Sequence, residues 1–199
     1  MKDTFNSFMD LQEKFREGVD YRIQAFDRGS SIIIIAPHGG GIDPGSSELA
    51  RAIAGGELSL YLFEGIRTSG NDELHITSHR FDEPTCLDMG KRHGSALTIH
   101  GCGVSKAQIL IGGRDCVLKQ NLYDQLKSYF SIEMPSNGKY AGQEPTNICN
   151  RTRSGQGVQL EFTAGLRKCL FANHKTRKGR QTTMPQFEEL VRVIREVIL

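Results

Sequence analysis

Four consecutive isoleucines, Ile32, Ile33, Ile34 and Ile35, run directly into Ala36-Pro-His-Gly-Gly-Gly-Ile-Asp-Pro-Gly45. β-branched residues favour extended backbone, and a strand turns successive side chains to opposite faces, so this run leaves no face for water. Such a strand must lie inside a sheet covered on both sides, which is the arrangement of an α/β protein. The chain has the material for it. With 199 residues, 38% of them hydrophobic, and a net charge of +2, it can bury enough surface to offset the entropy of ordering. The expected architecture is a single domain over 1–199 of α/β class, with a mixed, largely parallel central sheet flanked by helices.

Apolar runs predict strands over 21–25, 31–36, 58–63, 74–78, 96–100, 108–111 and 158–162. Helices are predicted over 46–54, with Ser46 or Ser47 as the cap, over 85–93, and over 115–130 with Val117, Leu118, Leu122, Leu126 and Tyr129 on one stripe. A C-terminal helix follows from the stripe Phe187, Leu190, Val191, Ile194, Val197 and Ile198. The polar stretch over 137–157 reads as a long loop near a site. No apolar run approaches the roughly 18–20 residues of a membrane span, and the N-terminal segment lacks the apolar core of a secretory signal. A cytoplasmic protein without a signal peptide is expected. Cys86, Cys102, Cys116, Cys149 and Cys169 are odd in number and contain no CxxC pair, so reduced thiols are expected rather than disulfides or a thiolate zinc site.

The chemistry concentrates where strands end in histidine and glycine. The isoleucine strand delivers His38 to its C-terminal edge, the edge at which open α/β sheets bind ligands, and the glycines allow the chain to turn back so that Asp43 meets His38. Ala96-Leu-Thr-Ile-His-Gly-Cys-Gly103 repeats the design with His100. Two imidazoles and a carboxylate are a three-ligand set for zinc, with a fourth position left for water. A strand-end histidine can equally be a hydrogen-bonded structural residue. In Val158-Gln-Leu-Glu-Phe162 the alternation puts Glu161 opposite the apolar face, as an acid–base carboxylate or as one on a solvated strand face. Asn150 and Arg151, just upstream, are candidates for gripping a substrate carboxylate, as is Arg114 at the end of another strand. His79 lies in a charged loop expected at the same edge. The segment 147–180 carries eight Lys and Arg against the single acid Glu161, a balance that suits a polyanion.

Taken in order, Ala36-Pro-His-Gly-Gly-Gly-Ile-Asp-Pro-Gly-Ser-Ser-Glu48, Phe81-Asp-Glu-Pro84, Ile99-His-Gly-Cys102 and Asn150-Arg151 ahead of Val158-Gln-Leu-Glu161 resemble the phage poly-γ-glutamate hydrolase family over residues 20–199. The resemblance implies a compact zinc-carboxypeptidase-like fold with one catalytic Zn2+. It also implies His38, the acid at 43 and His100 as ligands, Glu161 as the catalytic glutamate, and Asn150-Arg151 as a carboxylate clamp. The family commonly has glutamate where this chain has Asp43, so Glu48 stands as the alternative carboxylate ligand. The implied activity is hydrolysis of γ-glutamyl amide bonds in poly-γ-glutamate by a monomer without membrane or nucleic-acid partners, reaching an extracellular polymer on host-cell lysis. Two rival readings are a zinc deacylase or carboxypeptidase of a small acidic substrate, and a phage-related nucleic-acid-binding module using the basic segment near 167–180.

Overall fold

The computed structural model of the protein describes residues 3–199, so the first two positions of the N-terminal segment lie outside it. In chain order the elements are α1 (Phe8–Lys14), β1 (Tyr21–Phe26), β2 (Ile32–Gly40), α2 (Ser46–Ala54), β3 (Ser59–Gly65), α3 (Pro84–Arg92), β4 (Ser95–Cys102), β5 (Ile109–Gly113), α4 (Cys116–Leu126), β6 (Ile132–Glu133), β7 (Val158–Thr163), α5 (Ala164–Leu170), α6 (Arg177–Arg180) and α7 (Pro185–Ile198). The strands form one mixed sheet in the order β1-β3-β2-β4-β7-β5-β6. Its centre, β3-β2-β4-β7, is parallel, whereas β1 runs antiparallel to β3, and β5 antiparallel to β7.

The isoleucine run divides its side chains between two cores. Ile33 and Ile35 pack with Phe8 and Leu11 of α1 and Met89 of α3. Ile34 and Ala36 pack on the opposite face with α2, α4, α5 and α7. A fully buried isoleucine contributes about 1.5–3 kcal/mol, so this strand alone commits the sheet to a helical layer on each side. No helix among the described residues is long and apolar enough to cross a membrane. All five cysteines are free, with Cys86, Cys102 and Cys149 buried.

A bulge in β2 sets the direction of His38. Ala36 pairs with Leu62 and Gly39 with Glu64, so three steps on β2 match two on β3. One extra residue reverses the alternation of faces. His38, which strict alternation would put with Ile34 and Ala36, instead joins the face of Phe81, with 6.2 Å between the ring centroids.

Some local expectations are corrected. The stretch 74–78 is not a strand, although Leu74 and Ile76 are buried as its alternation required. Its backbone bonds to side chains rather than to a neighbouring strand: Thr77 N donates to Asp3 Oδ2 at 2.9 Å, and Ile76 O accepts from His38 Nε2 at 2.7 Å. The helix predicted to reach residue 130 stops at Leu126, and Val117 and Tyr129 are exposed rather than on its buried stripe. The cap of α2 is Gly45, in the left-handed region at φ 104°, not Ser46 or Ser47. A side chain there would be strained and would meet the Phe171 ring at 2.9 Å. The two serines tie down the preceding turn: Ser46 Oγ donates to Asp43 O at 2.8 Å, and Ser47 Oγ accepts from Gly40 N at 2.9 Å.

Candidate metal centre

His38, Asp43 and His100 converge, each offering an atom within 4.8 Å of the others'. His38 Nδ1 stands 3.1 Å from His100 Nδ1 and 3.6 Å from Asp43 Oδ2. Tetrahedral ligands about 2.1 Å from a zinc ion are separated by about 3.4 Å, a spacing these two distances bracket. The turn that makes this possible is closed by the backbone: Asp43 N donates to His38 O at 2.8 Å, and Gly101 N donates to Asp43 Oδ2 at 3.2 Å.

The protonation states suit a metal. The partner of His38 Nε2 is the Ile76 carbonyl, which can only accept, so Nε2 carries the hydrogen and a neutral ring turns its Nδ1 lone pair to the centre. Burial, reinforced by the neighbouring His38, lowers His100 to about 3. Burial alone would raise the Asp43 carboxyl, but the neighbouring His38 and His100 rings and the Gly101 N–H hold it below the ordinary carboxylate range. Neutral imidazole and ionised carboxylate at neutral pH are what a divalent cation requires of its ligands. His100 Nε2 is buried and has no hydrogen-bond partner among the described residues.

Glu161 is the register partner of His100 across β4 and β7. It is 8% exposed, not on a solvated face. Its Oε1 accepts from Gln159 Nε2 at 3.1 Å, and Gln159 Oε1 accepts from Asn147 Nδ2 at 2.9 Å, so a chain of side-chain amides orients the carboxyl. Burial, together with the charge of Asp43, pushes its pKa up to about 8. These groups line one cavity of about 880 Å³, shared with His75, His79, Lys139, Tyr140 and Arg167.

His75 and Arg167 give no sign of their position in the sequence. His75 stacks on His38 with ring centroids 4.1 Å apart, and its Nδ1 is 2.8 Å from Asp3 Oδ1. Burial, with His38 nearby, lowers His75 to about 4. Arg167 is 6% exposed and spans three backbone carbonyls.

Of the expected substrate-binding residues Asn150, Arg151, Arg114 and His79, only His79 reaches the cavity, at its exposed rim. Arg114 follows β5, which is antiparallel to β7, so Gly113 pairs with Val158 at the sheet's other edge and Arg114 points away from the site. Asn150 spends its amide on the backbone, donating to Gly142 O and Glu144 O and accepting from Arg114 N. Arg151 packs its carbonyl under Gly90 of α3, where a methyl group on that glycine would lie only 2.7 Å from it. The structure therefore does not bring Asn150, Arg151 and Arg114 together at the cavity. Glu48 is held by Arg180 Nε at 2.6 Å and is not in the cluster, which leaves Asp43 as the carboxylate nearest both imidazoles.

The mixed α/β sheet gathers His38, His100, Asp43 and Glu161 in one cavity, a set of groups suited to metal-assisted hydrolysis. The chain belongs to the poly-gamma-glutamate hydrolase family, whose model matches residues 5–193. It is 34% identical to YndL of Bacillus subtilis (strain 168), over 97% of this chain and 77% of YndL. It is 38% identical to the SPbeta prophage-derived protein YoqZ of the same strain, over 98% of this chain and 72% of YoqZ. Among solved structures, a bacteriophage poly-gamma-glutamate hydrolase superposes with a TM-score of 0.93 at 32% identity, covering 98% of this chain and 96% of that one. A zinc-free apo structure of YndL superposes with the same TM-score at 34% identity, covering 98% and 97%.

Proposed function

We propose that the protein is a zinc-dependent hydrolase of γ-glutamyl amide bonds that depolymerises poly-γ-glutamate. The observation that carries this reading is the convergence of His38 Nδ1, His100 Nδ1 and Asp43 Oδ2 beside the buried Glu161. Family membership supplies the substrate class, and the zinc-free designation of the YndL structure supports the choice of metal. His38, Asp43 and His100 would hold the ion. When bound there, zinc supplies Lewis acidity that polarises an amide carbonyl and makes water nucleophilic at neutral pH.

The remaining chemistry belongs to the chain. Beside a bound cation the ionised form of Glu161 would be favoured over the protonated one that burial promotes. The carboxylate takes the proton of the attacking water and returns it to the departing amine nitrogen, as acid–base catalysis of amide cleavage requires. Its hydrogen bond from Gln159 fixes the carboxyl plane for both transfers. Lys139 places an ammonium group in the cavity wall, where it offsets the carboxylate that each γ-linked glutamate carries. His38, His100 and Glu161 are each at most 8% exposed, so they present only their reactive edges to the cavity.

The test is cleavage of poly-γ-glutamate by purified protein, with and without a chelator, alongside His38→Ala. The expected result is activity that a chelator abolishes, that zinc restores, and that the variant lacks. Chelator-insensitive cleavage would remove the zinc mechanism, and zinc binding without polymer cleavage would favour a small acidic substrate instead.

A further inference from the structure

We infer that Arg167 is a positioning residue that locks the three segments carrying Asp43, His100 and Glu161 into one geometry and thereby sets the affinity of the centre for its metal. The inference rests on the metal reading above. Arg167 Nη1 donates to Pro44 O at 2.6 Å, Nη2 to Cys102 O at 3.0 Å and Nε to Phe162 O at 3.0 Å. Pro44 follows Asp43, Cys102 lies two residues beyond His100, and Phe162 follows Glu161. One side chain therefore holds the backbone close to Asp43, His100 and Glu161. The guanidinium is a rigid planar fork, so three carbonyls bonded to its three nitrogens are fixed relative to one another.

Two further features mark the arrangement as built. Gly101, next to His100, makes room for the fork: a methyl group there would lie 2.7 Å from Arg167 Cζ. Arg167 itself sits midway along the short α5, whose cap Thr163 accepts from Leu166 N and is the last residue of β7. The fork is thus anchored to the sheet that carries the site. Among the described residues Arg167 makes no ion pair within 4.0 Å, so its bonding is given to backbone carbonyls rather than to a carboxylate. Lysine would keep the charge but concentrate it on one nitrogen, which cannot reproduce the fork's planar spread of donors.

The experiment measures zinc affinity by calorimetric titration, thermal unfolding of the metal-free protein, and kcat and KM on poly-γ-glutamate, for wild type, Arg167→Lys, Gly101→Ala and the double variant. Expected for Arg167→Lys is a folded protein whose zinc affinity falls at least about 10-fold, in the range seen when groups that orient metal ligands are removed. Its kcat should fall while KM stays within about twofold of wild type, because the loss is in the centre rather than in substrate binding. Gly101→Ala, which displaces the guanidinium without removing it, should weaken zinc in the same direction, and the double variant should lose less than the sum of the two. Wild-type zinc affinity in Arg167→Lys overturns the inference, as does a raised KM with zinc affinity intact, which would make Arg167 a substrate-carboxylate grip. If Arg167→Lys fails to fold, wild-type zinc affinity in Gly101→Ala overturns it. If wild type itself binds no zinc, the metal reading fails, and that result is distinct from both.

Discussion

His100 and Glu161 face each other as direct partners in the parallel pairing of β4 with β7. One candidate ligand and the candidate acid–base group are therefore separated by a single strand spacing of about 4.8 Å, on two strands that cannot slip by one residue without turning one of the two side chains to the other core.

Glu161→Gln tests the division of labour this implies. Glutamine keeps the shape of the side chain and can still accept from Gln159, but it cannot hold the transferred proton. Activity on poly-γ-glutamate should fall by about 10²–10⁴, the usual contribution of a positioned acid–base group. Zinc affinity should stay near that of wild type. Turnover within a factor of ten of wild type would show that another group carries the proton.

Asp43 and Glu48 can be separated by the same titration. Asp43→Asn removes a charged ligand and should weaken zinc binding at least about 100-fold, more than the loss of a group that merely orients a ligand. Glu48→Gln should leave zinc binding unchanged and instead lower stability, because Arg180, buried at 4% exposure, loses its carboxylate partner. The opposite pattern would make Glu48 the ligand.

The β2 bulge is tightly packed. A Cβ on Gly39 would stand 2.3 Å from Ser47 Oγ and 2.9 Å from Phe63 O, and the second neighbour is backbone. Gly39→Ala should cost about 1–3 kcal/mol, the range for overpacking a close-packed interior. In a chain of this length that is a drop of several degrees in Tm, read by circular dichroism, at about 2–4 °C per kcal/mol. An unchanged Tm would mean that the bulge yields freely.

Acid sensitivity should trace to Glu64. Burial raises its carboxyl, but the bonds from Arg22 and Arg51 outweigh that and leave it below the ordinary value of 4.5. A carboxylate whose folded value is depressed contributes stability that is fully present above its unfolded value and is lost as pH falls through the folded one. Urea unfolding from pH 6 to pH 3 should therefore show a steeper decline in wild type than in Glu64→Gln. Parallel declines would assign the acid limb to other carboxylates.

Much of the site was legible because its signals are local. A run of isoleucines has one place in a fold, and a histidine followed by glycine at a strand end marks the functional edge. His38, Asp43 and His100 follow from that and do meet. What sequence could not show was strand direction: nothing local distinguishes β5 from its parallel neighbours, so Arg114 was expected at the wrong edge. Nor could it show that the amide of Asn150 is consumed by its own loop. Arg167 and His75 stayed hidden for a different reason. Each acts through contacts with residues far along the chain, Pro44 and Cys102 for the first and Asp3 for the second, and no spacing rule encodes those.

The single extra residue between Ala36 and Gly39 has a consequence for how such a site can be gained or lost. Strand β2 is apolar on both sides and has no polar face on which a histidine would naturally sit. Its side chain reaches the cavity because the strand changes its parity once, at the end of its hydrophobic stretch. Removing that one residue would leave both cores nearly intact and point the imidazole at the helices of the other layer. The placement of His38 thus hangs on a length difference of one residue between two paired strands, a smaller and more reversible distinction than the replacement of a side chain.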